Sequence, residues 1–297
     1  MNNKYHNSKA LNHLRDEIDE IDDKILDLLM RRAAVAVKVS EVKKLSAHPG
    51  RFIRPAREAE VLRRLLEKHD GVFPETLIIR IWREIISATL ALESEFSISV
   101  FKPDNQKTGL AYEWLARNYF GIDTKLTIAR TTKDVLRSVK DGGVTVGVLP
   151  MPNDDDQFIT DEEPWWIKLA NEEHDHPMII ARLPWSFESH AVITGLEALS
   201  IACVEPEESG DDISYLALKV VKSVSQDKIF LALKKADLSI SNVVVTKFSG
   251  LKGGPDWQLL QIEGFVSKGD IRLNSFLEYL DDEIEMLKVL GSYARPS

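Results

Sequence analysis

LNHLRDEIDEIDDKILDLLMRRAAVAVKVSEV, residues 11–42, places an apolar side chain at alternating spacings of three and four: Leu11, Leu14, Ile18, Ile21, Ile25, Leu28, then Val35, Val39 and Val42. That heptad is the seam of a long helix built to pack against another. Arg32 stands in the seam where a Leu belongs. A guanidinium stays charged at any physiological pH, and burying it without an anionic partner is costly, so the seam is expected to hold an anion at Arg32. With no Pro or Gly from Ser8 to Leu45, one helix of about 55 Å is expected at ~1.5 Å per residue, too long for a small monomeric core.

The helix should break at Ser46-Ala47-His48-Pro49-Gly50. A second helix after Pro55 carries Val61, Leu62, Leu65 and Leu66 on one face and ends near Asp70-Gly71. A third, opened by Pro74, is expected to bury Leu77, Ile78, Ile81, Trp82, Ile85 and Ile86.

Beyond Phe96 short strands alternate with helices: strands at 97–101, 126–129 and 144–149, helices at 110–119 and 132–140, then strand-like runs at 178–181, 191–194 and 199–204. The acidic stretch 153–163 is read as a solvated loop. After 205–212 the tail reads strand 214–221, helix 226–236, strand 240–248, turn 250–255, strand 257–265, helix 271–281 and strand 286–290, a ferredoxin-like βαββαβ plan. The chain is therefore expected to be multidomain: an all-α three-helix domain over 1–95, an α/β domain over 96–205 and an α+β ferredoxin-like domain over 213–297.

Composition bounds the function. The 297 residues are 44% hydrophobic and 29% charged with a net charge of −9, an ordinary soluble balance. Residues 1–95 carry 17 Lys/Arg against 16 Asp/Glu, so the acidic excess lies in the rest. Neither half presents the basic cluster that nucleic acid requires. No apolar run suggests a membrane span or a secretory leader, and the chain is read as cytoplasmic. Cys203, the single cysteine, rules out an intrachain disulfide and is read as a small core residue. His174 and His176 flank Asp175 without a third ligand nearby, so no metal site is expected.

Arg32 and Lys43 lie eleven residues apart, almost three full turns, so roughly 16 Å separates their Cα atoms on one side of the helix. Two long side chains could close on a small anion between them. Arg15 shares the stripe but lies about 25 Å from Arg32. If all three serve one site, Arg15 must come from the antiparallel partner of a dimer. Glu58 on the second helix and Thr89 and Glu93 on the third add polar groups to apolar faces. Should the six converge, they make one pocket.

LRDEIDEIDDKILDLLMRRAAVAVKVSEVKK, RPAREAEVLRRL and IWREIISATLALE together resemble the all-helical class of chorismate mutase over about residues 11–94. The resemblance implies an intertwined homodimer of three-helix chains with two sites. It further implies that Arg32 and the partner chain's Arg15 position bind the two carboxylates of chorismate, and that Lys43 binds a carboxylate and the ether oxygen. Glu58, in the Arg57-Glu58 pair, would accept from the ring hydroxyl; Thr89 occupies the usual small polar position, and Glu93 would hydrogen-bond the ether oxygen. Arg54 departs from the family, standing where some members have an acid. The implied reaction rearranges chorismate to prephenate with no cofactor, metal or nucleophile. Negative charge grows on the ether oxygen, so catalysis consists of holding a reactive conformer among preset donors. Glu93 can donate there only when protonated, and activity is expected to rise toward acid pH.

AYEWLARNYFG and TTKDVLRSVKDGGVTVGVLPMPN resemble the first lobe of prephenate dehydratase over about 97–153. That family's Thr-Arg-Phe motif is absent, Asp175-His176-Pro177-Met178 standing in its place, and too few residues follow Pro150 for a whole second lobe. EMLKVLGSYARP is similar to the last strand of the phenylalanine-binding ACT domain. Its Gly-Ala-Leu and Glu-Ser-Arg-Pro signatures are missing, Thr246-Lys247-Phe248-Ser249 taking the place of the second. The resemblance thus implies a chorismate mutase fused to a reduced dehydratase-like and ACT-like body. The alternatives are a bifunctional mutase and dehydratase, a lyase acting on isochorismate, and a non-catalytic sensor of an aromatic metabolite.

Overall fold

A computed structural model describes residues 2–44, 52–103, 106–152, 163–172, 177–186, 195–221, 224–240, 246–249, 256–280 and 283–296. The described chain falls into two compact units, residues 1–52 with 92–94, and residues 53–91 with 95–297.

The first unit is built on α1 (Asn2–Lys44). Its heptad positions are open: Leu11, Leu14, Ile18, Ile21, Ile25, Leu28, Val35, Val39 and Val42 all lie exposed along it. Ser40 is buried, and its Oγ donates to the backbone carbonyl of Glu93 at 3.5 Å.

The second unit begins with α2 (Pro55–Glu67) and most of α3 (Glu75–Glu93). Pro55 opens α2, where a missing N–H costs nothing. Pro74 precedes α3, its carbonyl accepting from the Leu77 amide at 3.0 Å, so it caps the helix instead of filling its first turn. The buried stripe of α3 is Ile79, Arg83, Ile86, Ser87 and Leu90. That corrects the expected face, since Leu77 and Ile81 are exposed. The helix turns toward residues 120–124, where Ser87 Oγ donates to the Phe120 carbonyl and Glu84 accepts from the Ile122 amide. Gly121, at φ +91°, permits that approach, because a Cβ there would overlap Ser87.

The body continues as β1 (Ser97–Phe101), α4 (Gln106–Phe120), β2 (Lys125–Ala129), α5 (Thr132–Lys140), β3 (Val146–Pro150), α6 (Trp165–Asn171), β4 (Met178–Leu183) and β5 (Ala198–Ala202). Then come β6 (Asp212–Val220), α7 (Gln226–Lys235), β7 (Thr246–Ser249), β8 (Asp256–Glu263), α8 (Ile271–Leu280) and β9 (Ile284–Ala294). Thr131 and Ser225 cap α5 and α7 through their hydroxyls, as serine and threonine do ahead of a helix. The short helix α6 carries no period long enough to read from sequence. It is fixed by burial of Trp165 and Trp166 and by the bond from Trp165 Nε1 to the Pro150 carbonyl at 3.1 Å.

The nine strands among the described residues join one sheet in the order β2-β1-β3-β5-β4-β9-β6-β8-β7. The β9-β6-β8-β7 end has the expected βαββαβ connectivity, with Ile229, Leu233, Leu273 and Phe276 of α7 and α8 packed against Leu216, Leu218, Leu260 and Ile262. Expected features at 153–162, 173–176, 191–194 and 250–255 lie outside the described residues. Cys203, expected in the core, is exposed just past β5, with Sγ 3.6 Å from the Val139 carbonyl.

The two halves of the sheet meet where β4 runs parallel to β9, with Ile179 opposite Gly291. Gly291 has φ +139°, and a Cβ there would sit 2.2 Å from the Ile179 carbonyl oxygen. Both strain and clash therefore demand glycine. Gly291→Ala should cost about 3 kcal/mol in urea unfolding. Gly142→Ala, at φ +71° with open space around it, should cost only about 1 kcal/mol.

Candidate active site

On α1, more than a third of Arg32 is exposed, yet packing around its guanidinium strips enough solvent to lower its pKa, while the Glu93 carboxylate pulls it back up. The first unit thus places an acid from the end of α3 in the field of the seam arginine. Arg15 is exposed on the same helix, with Nη1 3.5 Å from the Asn12 side-chain oxygen. Lys43 also lies on α1, but its side chain is outside the described part.

The second unit holds Glu58, Arg57 and Thr89. Arg57 lies on the exposed side of α2, paired with Glu60 at 2.7 Å. Thr89 Oγ1 donates to the Ile85 carbonyl one turn back at 2.7 Å. The Glu58 side chain is 14% exposed and its carboxylate accepts from Arg83 Nη1 at 2.8 Å. Burial raises the Glu58 pKa above the ordinary carboxylate range; the charge and hydrogen bond of Arg83 oppose that rise.

Arg83 is the residue that sequence reasoning passed over. It sits one position past Trp82 on a stripe read as apolar, and a charge among so many surface arginines gave no cue to its burial. It is 3% exposed, with its guanidinium carbon 3.8 Å from the Tyr119 ring centroid and 5.2 Å from that of Trp185. Trp185 also faces Arg63 at 5.8 Å. Arg63 in turn donates to the Ser209 carbonyl at 2.9 Å, the Asp211 carbonyl at 2.7 Å and the Arg295 carbonyl at 3.3 Å. Arg54, the departure noted in the sequence, pairs with Glu207 at 3.0 Å. Cationic side chains thus tie α2 and α3 to the sheet. Among the described residues no group of three His, Cys, Asp or Glu is placed to hold a metal ion, and no helix is long and apolar enough to cross a membrane.

Residues 14–94 match the family model of chorismate mutase type II. The matched span runs through α1, α2 and α3, and an α/β region follows it. It is 36% identical over 149 residues to the bifunctional chorismate mutase/prephenate dehydratase of Aquifex aeolicus, covering 49% of this chain and 40% of that protein. The Stutzerimonas stutzeri protein of the same description is 35% identical over 146 residues, covering 48% and 39%. The chain thus spans about two fifths of the length of the curated relatives it matches. Among solved structures, prephenate dehydratase from Streptococcus mutans overlays with a TM-score of 0.45 at 14% identity, covering 68% of this chain and 98% of that one.

Arg63 donates to the carbonyls of Ser209, Asp211 and Arg295, so Arg63→Ala should lower unfolding free energy by about 2 kcal/mol. The exposed Arg57–Glu60 pair should matter far less, Arg57→Ala costing roughly 0.5 kcal/mol. Urea titrations of the two variants compare them directly.

Proposed function

We propose that the protein is a dimeric chorismate mutase, converting chorismate to prephenate on the route to phenylalanine and tyrosine in the cytoplasm. The observation that carries this reading is the match of residues 14–94 to the chorismate mutase type II family, a span that contains Arg15, Arg32, Lys43, Arg57, Glu58, Thr89 and Glu93. The reading divides the chain into a mutase domain over 1–95, a dehydratase-like domain over 96–205 and an ACT-like domain over 213–297.

A second copy of this chain is the proposed occupant of the open α1 seam. Six consecutive heptad positions from Leu11 to Leu28 are exposed, and leaving such a stripe in water forfeits about 1.5–3 kcal/mol for each side chain that a partner helix would cover. Antiparallel pairing also brings Arg15 of one copy toward Arg32 of the other, which one helix cannot do. In this dimer the two arginines take the carboxylates of chorismate, Lys43 takes a carboxylate and the ether oxygen, and Glu58 accepts from the ring hydroxyl. Thr89 and Glu93 lie one turn apart on α3, Glu93 at the ether oxygen. Fixed cations hold the reactive conformer and the donors meet the charge that develops on oxygen.

A second reading, a bifunctional mutase and dehydratase, draws support from the names of the relatives. The missing Thr-Arg-Phe motif weighs against it, and phenylpyruvate formation from prephenate decides it.

Purified protein should consume chorismate, followed by loss of its absorbance, and sediment as a dimer; no turnover would remove the reading. Arg32→Ala should lower kcat/KM at least ~100-fold, in line with loss of an oxyanion donor. Arg32→Leu should abolish turnover while keeping or strengthening the dimer, because a buried charge becomes an apolar contact. Glu93→Gln carries a permanent donor to the ether oxygen and should turn over chorismate at least as fast as wild type at neutral pH; loss of turnover would discard the role.

A further inference from the structure

Glu58 is the proposed acceptor for the substrate's ring hydroxyl, yet its carboxylate is held by a residue outside the substrate-binding set. Arg83, one turn before Ser87 on the buried stripe of α3, donates Nη1 to Glu58 at 2.8 Å. What keeps Arg83 there belongs to the α/β body: Tyr119 at the end of α4, 3.8 Å from the guanidinium carbon, and Trp185 just past β4, 5.2 Å away. Trp185 is 4% exposed and Tyr119 is 7% exposed, so both rings are fixed by the packing around them. A guanidinium over aromatic faces keeps much of its favourable electrostatics out of water while leaving its edge free to donate.

We propose that Arg83 is a positioning residue for the rearrangement, aiming the Glu58 carboxylate at the substrate hydroxyl, and that the α/β body acts on the mutase through this contact by clamping Arg83 between Tyr119 and Trp185. The proposal rests on the mutase reading. It gives the body a task that needs neither dehydratase nor ligand-binding motifs.

The electrostatics set the sign of a test. The charged group acting on Glu58 is Arg83 from α3; Tyr119 from α4 faces the pair with its phenol kept neutral, its pKa raised by burial and by the Glu58 charge against the opposing pull of Arg83. On α2 itself Arg57 is turned to Glu60. Burial alone favours protonated Glu58 and Arg83 opposes it. A protonated carboxyl is a poorer acceptor, so losing Arg83 should move the acid-side loss of activity to higher pH.

The experiment is the pH dependence of kcat and kcat/KM for chorismate in wild type, Arg83→Gln, Arg83→Lys and Tyr119→Leu. It is paired with a titration of the Glu58 carboxyl carbon by NMR in full-length protein, assigned with Glu58→Gln. Arg83→Gln should shift the acid limb and the Glu58 midpoint upward by about 1–3 pH units, the usual effect of removing an adjacent opposite charge, and raise KM about tenfold, more than it lowers kcat. Arg83→Lys should restore most of the shift. Tyr119→Leu, which loosens the clamp and leaves Arg83 in place, should move both in the same direction by less. An unmoved Glu58 midpoint in folded Arg83→Gln, or no recovery with Lys, overturns the positioning. A moved midpoint with an unmoved acid limb overturns its link to turnover. Should wild type fail to consume chorismate, the mutase reading falls, and the NMR titration still reports whether Arg83 governs Glu58.

Discussion

The close approach of Ile179 and Gly291 holds the second unit together. β9 pairs along its length with β6 and at this point with β4, so one residue pair makes a single nine-stranded sheet out of two smaller ones. Only a residue without a Cβ lets the backbones meet, and only glycine rests at φ +139° without strain. The Asp211 and Arg295 carbonyls that Arg63 binds are brought together by the β6–β9 pairing, since Asp211 precedes β6 and Arg295 follows β9. The anchor for α2 is thus a product of the β6–β9 ladder.

From that anchor the helices inherit their orientation. Arg63 and Arg54 fasten α2, Ser87 and Glu84 fasten α3, and between the two helices the Arg83–Glu58 pair is buried beneath Tyr119 and Trp185. A buried ion pair adds little net stability compared with an apolar pair of the same shape, because desolvation cancels most of the attraction. Its value lies in specificity: once buried, neither partner can turn away without stranding the other. Glu58 is therefore held in one orientation by the body, while Arg32 lies on a helix whose apolar seam is still open.

Much of the fold was legible in residues. The heptad on α1, the turn signals and the alternation of short strands with helices placed most elements within a few positions, and strand 97–101 and helix 132–140 coincide with β1 and α5. Periodicity fails where an element is short or where a helix has two candidate faces. The seven residues of α6 are too few to show a period. On α3, Leu77 and Ile81 promised one buried face, but contacts with α4 and residues 120–124 selected another. Cys203 was placed in the core on its residue type, and its position just beyond a strand end leaves it exposed.

The sequence by itself determined the seam, the charge that interrupts it and the set of polar residues at helical spacing, because these are properties of order along one chain. It also supplied the limit of reach that keeps Arg15 and Arg32 of one helix apart. Only the tertiary structure decided that Arg83 is buried and bound to Glu58, that Tyr119 and Trp185 cover it, and that Gly291 joins the two sheets. Those contacts link residues 25 to 112 positions apart, and their energies depend on which surfaces meet and what water they exclude. No local pattern carries that information.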